Sequence, residues 1–138
     1  MQEAHKDILK NGIVLSPYGR HLGMDPILIE VDHVVVAMPF KNDLTTLGDV
    51  VHGGAIASLV DVAATGAFWA LEEQPTNPRG TTIGFSINYL DAGRAQTLTA
   101  DAKVMRRGGS ICVGSVDVTD ETGKQVAHAT VTYKLSQG

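Results

Sequence analysis

The sequence is poor in the residues on which several common classes of site depend. It has one cysteine, Cys112, so no internal disulfide can form, and no Cys or His residues stand at the spacing of a metal site. Eleven basic residues against fifteen acidic ones give a net charge of −4, which argues against nucleic acid as the main partner. We therefore expect no metal, no redox cofactor and a reducing compartment, the cytoplasm.

A targeting segment and a membrane span are also not expected. Residues 1–26 are too charged to contain the apolar region of a signal peptide. The apolar stretch 53–71 has nearly the length of a bilayer span, but Asp61 lies at its middle and two glutamates follow it. We interpret this stretch as the buried helix of a globular protein.

The hydrophobic pattern predicts a single α+β domain over 1–138, in which a lead-in at 1–25 precedes a core at 26–138. The expected helices are a short one closed by Gly12 and a long apolar one, at 3–12 and 53–71. The expected strands lie at 26–40, 81–90, 95–105, 110–120 and 124–135. Short turns between the last four strands predict consecutive antiparallel hairpins. The long helix is the only element able to cover the sheet, so the sheet is expected to wrap around it.

The long helix is apolar on nearly all sides. A helix that is hydrophobic all round is buried all round, whereas one curved sheet covers only part of it. A second subunit or an additional element must cover the rest. A homo-oligomer, at least a dimer and by expectation a tetramer, is the simpler solution.

One carboxylate, Asp61, lies inside this helix, and no Arg or Lys stands three or four residues away to neutralise it. Two interpretations are open. Asp61 is either a buried aspartate bonded to backbone or to Thr65 one turn later, or a carboxylate held in an apolar cleft as nucleophile or general base.

The helix opens with His52, Gly53 and Gly54. Two glycines let a ligand approach the backbone, and the first N–H groups of a helix suit a developing oxyanion. The alternative is a tight turn in which His52 packs before the helix. Gly53 and Asp61 are eight residues apart, which is about 12 Å along a helix axis. One substrate carbonyl cannot touch both groups of the same helix, so a site that uses both must combine two chains.

The segment HGGAIASLVDVAATGA, its place after a long first strand and the strands behind it resemble the hotdog-fold acyl-CoA thioesterases. The resemblance covers about 31–135 and is strongest to the phenylacetic acid degradation branch. It implies a hotdog fold, in which an antiparallel sheet wraps around one central helix. It also implies hydrolysis of an acyl-CoA thioester to the free acid and CoA.

The resemblance further implies roles for individual residues. The Gly53 N–H polarises the thioester carbonyl, and Asp61 of the partner subunit attacks the carbon or activates a water. Thr65 matches a position that orients the water or the carboxylate. Thr82 matches a hydroxyl near the reacting water, although a local bond to backbone is the favoured interpretation of that side chain. His52 shapes the turn or contacts the carbonyl.

Two further places concern substrate binding. Relatives often have Asn or Gln six residues before the histidine, where this sequence has Thr46, and Asn42 stands four residues earlier as a substitute. A turn between two strands matches a segment that lies beside the CoA nucleotide in relatives, and a plain hairpin turn is the alternative. That turn consists of Arg107, Gly108, Gly109 and Ser110.

Two other functions stay open. A hotdog hydratase or dehydratase pairs a histidine with an acid, and His52 and Asp61 are both present. A non-catalytic acyl-CoA binding protein is the second alternative, for which Thr46 is the best argument. The sequence does not decide whether the acyl group is aromatic, medium-chain or hydroxylated.

Overall fold

A computed structural model of the protein describes residues 1–136 and combines one long helix with a six-stranded antiparallel sheet. The α-helices are α1 (Glu3–Leu9), α2 (Pro17–Leu22) and α3 (Gly53–Trp69). A π-helical segment, Lys10–Val14, joins α1 to α2, and a short 3-10 helix covers Asn42–Leu44. The strands are β1 (Asp25–Glu30), β2 (His33–Met38), β3 (Arg79–Tyr89), β4 (Leu98–Arg107), β5 (Ile111–Thr119) and β6 (Gln125–Ser136). Their order across the sheet is β1-β2-β4-β5-β6-β3.

The long helix α3 lies on the sheet, as the sequence predicts. It begins at Gly53 as expected and ends at Trp69, two residues before the predicted end. Phe68 is fully buried and stacks on Tyr133 of β6, with ring centroids 5.0 Å apart. Gly114 of β5 lies beneath this ring, because a Cβ there would meet the Phe68 Cζ at 3.0 Å. The sheet can therefore approach the helix closely at this point.

The prediction of one strand over 26–40 is wrong. The segment forms a hairpin, β1 and β2, which turns at Val31 and Asp32. Asp32 has a φ of 62°, a left-handed conformation that aspartate tolerates better than most residues. The tight turn interrupts a run of β-branched residues whose composition gives no sign of it.

The predicted pairing of consecutive strands is confirmed for β4, β5 and β6, but it is wrong for β3. That strand pairs with β6 and forms an edge of the sheet. The connection 90–97 is too firmly held elsewhere to act as a hairpin: Gly93 accepts a hydrogen bond from the Val51 N–H, and Arg94 forms a β-bridge with Val50. The chain therefore runs alongside the residues that precede α3 before it enters β4.

The N-terminal segment is longer and more helical than predicted. Gly12 does not end the first helix, which continues as the π-helical segment, and α2 follows after Ser16 and Pro17. A proline at the first helical position and Gly23 at the end, with φ 77°, are the signals of α2 in the sequence. Leu9 and Val14 are buried in the core. The additional element that was the alternative to an oligomer thus covers one side of α3.

Across residues 1–136 no helix is long and apolar enough to cross a membrane.

Candidate active site

The N-terminus of α3 exposes one open backbone donor. The His52 Nδ1 accepts a hydrogen bond of 2.8 Å from the Gly54 N–H, so His52 caps the helix and its ring proton must lie on Nε2. The His52 carbonyl accepts the next two N–H groups, those of Ala55 and Ile56. Within residues 1–136 no acceptor takes the N–H of Gly53. Of the two glycines, Gly53 is therefore the one whose donor can meet a ligand.

Tyr89, at the end of β3, holds this helix terminus in place. Its hydroxyl donates a 2.8 Å hydrogen bond to the Gly53 carbonyl. A Cβ at Gly53 would lie 3.3 Å from the tyrosine ring, so the absence of a side chain allows the close approach. Tyr89 was not among the predicted site residues, because its only signal in the sequence is an aromatic side chain at the end of a strand.

Asp61 projects from the middle of α3 toward the start of β3. The Thr82 hydroxyl donates a hydrogen bond of 2.7 Å to the Asp61 Oδ1. The favoured interpretation of Thr82, a local bond to backbone, is therefore wrong. No other group in residues 1–136 donates to this carboxylate, and Asp61 is only half-buried. One carboxylate oxygen is fixed in direction, and Oδ2 is available to a reactant.

The Asp61 side chain lines a cavity of about 230 Å³ between α3 and the N-terminal segment. Thr65, one turn after Asp61, lines the same cavity, as the sequence predicts for a residue beside the carboxylate. The opposite wall consists of Gly12, Ile13 and Ser16. These three residues gave no signal in the sequence, because their part in the site depends on how the N-terminal segment packs on α3.

The negative charge of Asp61 also affects the pKa of Tyr133 on β6. Burial raises the pKa of Tyr133 above its ordinary value, the hydrogen bond from Trp69 lowers it, and the charge of Asp61 adds to the rise. The Trp69 Nε1 donates to the Tyr133 hydroxyl at 2.7 Å. Tyr133 therefore remains a neutral hydroxyl at neutral pH, on the side of α3 that carries Asp61.

The remaining predicted site residues lie elsewhere in the chain. Thr46 is exposed in the loop before α3, where its N–H donates to the Val50 carbonyl. The turn 107–110 lies near the C-terminal end of α3, opposite to the end that carries Gly53. There the Arg107 guanidinium donates to the Asp32 carboxylate at 2.8 Å and to the Ala67 carbonyl at 3.2 Å.

The turn itself is held by backbone bonds. The Gly108 N–H donates to the Ile111 carbonyl, and a Cβ on Gly108 would lie 2.6 Å from that oxygen. The Ser110 carbonyl accepts the N–H of Leu135, while Gly109 is exposed. Within one chain the predicted residues thus form separate clusters: His52, Gly53 and Gly54 at the start of α3, Asp61 with Thr65 and Thr82 at its middle, and the turn 107–110 near its end.

The chain is similar to proteins of known fold and activity. A model of the Thioesterase superfamily matches residues 48–127. The medium/long-chain acyl-CoA thioesterase YigI of Escherichia coli strain K12 is 32% identical over 134 residues, covering 86% of this chain and 85% of its own length. A hypothetical thioesterase from Streptococcus pneumoniae, solved with coenzyme A, is 28% identical with a TM-score of 0.75, covering 83% of this chain and 87% of its own. The E. coli PaaI protein of the phenylacetic acid degradation operon has a TM-score of 0.81 at 24% identity, covering 96% of this chain and 95% of its own.

The capping role of His52 predicts a loss of stability on its removal. Replacing His52 with Ala leaves the Gly54 N–H without its acceptor and should lower the free energy of unfolding by about 1 kcal/mol. His52→Asn, which retains a side-chain acceptor, should lose much less. Urea unfolding at one fixed protein concentration measures both variants, and equal stability of His52→Ala and the unsubstituted protein would contradict the capping role.

Proposed function

The chain belongs to the thioesterase superfamily, and on that premise we propose that it hydrolyses acyl-CoA thioesters to the free carboxylic acid and CoA. The predicted hotdog fold is confirmed by the family match and by the antiparallel sheet around one long helix. YigI is named for activity on medium- and long-chain acyl-CoA, and the S. pneumoniae relative binds coenzyme A in its crystal structure. Both relatives support an acyl-CoA as the substrate of this chain.

The observation that carries the proposal is an open backbone donor on the same helix as a carboxylate whose direction is fixed. The Gly53 N–H, at the positive end of the α3 dipole, donates a hydrogen bond to the thioester oxygen and stabilises the negative charge that develops there. Asp61, oriented by Thr82, either takes a proton from a water that attacks the carbonyl carbon or attacks that carbon itself. In the second route water then hydrolyses the resulting anhydride. In the first route the proton taken up by Asp61 passes to the CoA sulfur as the carbon–sulfur bond breaks. In the second, CoA leaves as the thiolate when the anhydride forms and takes a proton from solvent.

The two groups must come from different subunits in this proposal. Eight residues separate Gly53 from Asp61, a distance of about 12 Å along α3. The attacking atom and the oxyanion donor must both lie about 3 Å from a single carbonyl group. A dimer in which Gly53 of one subunit faces Asp61 of the partner subunit satisfies this condition.

The edge strand β3 supports such a dimer. Its apolar residues Ile83 and Phe85 are 56% and 37% exposed, and an exposed apolar edge strand tends to be covered by another chain. Within one chain the Thr82 end of β3 lies beside Asp61, and the Tyr89 end lies beside Gly53. A two-fold axis that pairs β3 with a second copy reverses its direction. The Gly53 end of one chain then meets the Asp61 end of the other, and two such dimers would form the expected tetramer.

The His52 geometry favours thioester hydrolysis over the hydratase alternative. A hydratase histidine must take up and release a proton, whereas the Nδ1 of His52 accepts from the Gly54 N–H and Nε2 already carries the ring proton. In a thioesterase the same hydrogen bond has a direct use, because it holds the first turn of α3 and leaves the Gly53 N–H as the open donor.

The proposed contact of turn 107–110 with the CoA nucleotide does not depend on the Arg107 side chain. Arg107 is already bonded to Asp32 and to α3, so the exposed Arg106 and the exposed Gly109 are better placed to meet a phosphate.

A cytoplasmic location fits the single cysteine, Cys112, which is buried.

Asp61→Asn should abolish hydrolysis of acyl-CoA, because the amide can neither attack the thioester nor accept a proton from water. General-base catalysis alone contributes about a hundred- to ten-thousand-fold in rate. Thiol release measured over a panel of acyl-CoA substrates checks the loss. The matched control is Asp117→Asn, an exposed carboxylate on β5, which should keep full activity. Normal turnover by Asp61→Asn, with an unchanged oligomer in light scattering, would remove the proposed mechanism.

Gly53→Pro should remove the oxyanion donor and leave the helix in place. Proline is tolerated at the first position of a helix, and His52 already has the extended backbone that precedes proline, with φ −61° and ψ 137°. Loss of this donor should lower kcat by about a hundred- to a thousand-fold. Gly53→Ala is the matched control, since it adds a Cβ against the Tyr89 ring but keeps the N–H. If both variants turn over at the same rate, the Gly53 N–H is not the donor.

A further inference from the structure

A second, larger cavity continues from the one at Asp61. It has a volume of about 360 Å³ and lies between α1, α3 and the loop 74–78. Gly12, Ile13 and Thr65 line both cavities, so the second cavity lies directly beyond the first along α3. Most of its remaining lining is apolar: Ile8, Leu9, Trp69, Pro75 and Pro78. The two cavities adjoin along α3, one beside the carboxylate and the other toward the C-terminal end of the helix.

The length of this space fits an acyl chain of medium length. Asp61 and Trp69 are eight residues apart on α3, which corresponds to about 12 Å. Carbon–carbon bonds of about 1.5 Å advance an extended chain by roughly 1.25 Å each, so about eight to ten carbons span this distance. An acyl group whose carbonyl carbon lies at Asp61 therefore ends near Trp69.

A buried histidine lies at that far end. His5 of α1 lines the second cavity and is only 4% exposed, and neither of its ring nitrogens has a hydrogen-bond partner in residues 1–136. Buried polar side chains are normally hydrogen-bonded, because leaving one without a partner is costly. The unpartnered imidazole in an otherwise apolar cavity thus points to a ligand group that bonds to it.

Tyr133 supplies a second polar group in the same cavity. Its hydroxyl oxygen accepts from the Trp69 Nε1, while within residues 1–136 no acceptor takes the hydroxyl proton. A neutral imidazole offers one donor and one acceptor. A hydroxyl group on the ligand, which both donates and accepts, matches this set.

The charges around His5 argue against a ligand carboxylate. On its other side His5 lines a separate cavity together with Glu72, which pairs with the Met1 ammonium at 3.0 Å, and Glu73, whose negative charge disfavours a second carboxylate nearby. A neutral hydroxyl avoids this repulsion.

We propose that this cavity binds the acyl chain of the substrate and that His5 hydrogen-bonds a hydroxyl group carried near the far end of that chain. His5 is then a specificity-determining residue, and the preferred substrates are medium-chain acyl-CoA thioesters with a terminal or near-terminal hydroxyl. The inference rests on the proposed thioesterase function, since it assigns the substrate class of the same site.

The test compares decanoyl-CoA with ω-hydroxydecanoyl-CoA in the unsubstituted protein, His5→Phe and His5→Gln, with thiol release as the readout. The unsubstituted protein should show a kcat/KM about tenfold higher for the hydroxylated substrate, the equivalent of one good hydrogen bond. His5→Phe should reverse the preference, and His5→Gln, which can still bond a hydroxyl, should keep much of it. The matched control is His21→Phe, an exposed histidine on α2, which should leave the ratio unchanged.

A preference for decanoyl-CoA in the unsubstituted protein, or a ratio that His5→Phe does not change, would overturn the inference. Binding of the same two thioesters to Asp61→Asn, measured by calorimetry, separates this inference from the proposed function. If the hydroxyl improves the Kd about tenfold but the unsubstituted protein releases no thiol, the His5 assignment holds and the thioesterase proposal fails. If thiol is released with no preference in rate or Kd, the reverse is true.

Discussion

Slightly more than two turns of α3 separate the open Gly53 N–H from the Asp61 carboxylate, and the hydrogen bonds of the helix backbone fix this separation. A helix buried among β-strands cannot bend enough to bring the two groups to one carbonyl. The proposed chemistry therefore depends on a second copy of the chain. Strand β3 fits this requirement. It lies at an edge of the sheet, exposes apolar side chains and contacts both Asp61 and the start of α3.

Much of the fold could be predicted from the sequence, because its signals are local. Seventeen residues of continuous apolar helix and the strands 98–107, 111–119 and 125–136, with tight turns between them, are recognisable from composition and periodicity. The hairpin within 26–40 could not be predicted, since its turn depends on one aspartate in a left-handed conformation. The pairing of β3 with β6 could not be predicted either, because it depends on the tertiary contacts of the connection 90–97.

The candidate site was predictable to a similar degree. The motif and its spacing select Gly53 and Asp61 as candidates, but they could not show which glycine N–H stays open. That depends on the His52 ring, which bonds to Gly54. The bond from Thr82 to Asp61 joins residues that are far apart in the sequence, and no local pattern favours it over a bond to backbone. The cavity walls formed by the N-terminal segment were missed for the same reason.

The N-terminal segment contributes both to the hydrophobic core and to the lining of the two cavities. Leu9 and Val14 anchor it in the core, while Gly12 and Ile13, between them, line both cavities along α3. The same packing that covers one side of the central helix therefore shapes the space for the acyl chain. The buried imidazole of His5 is the exception to this apolar packing, and in the proposed complex a hydroxyl of the acyl chain offsets the cost of burying it.

The most direct test of a site shared between two subunits uses hybrid oligomers. The Asp61→Asn and Gly53→Pro chains, each inactive alone, are co-expressed with different affinity tags, and the hybrids that carry both tags are purified. In a dimer of one chain of each kind, one site contains both substitutions and the other contains neither, so the hybrid should regain about half of the activity of the unsubstituted dimer. A purified hybrid as inactive as its two parents would contradict the shared site, because it would mean that Gly53 and Asp61 act within a single chain.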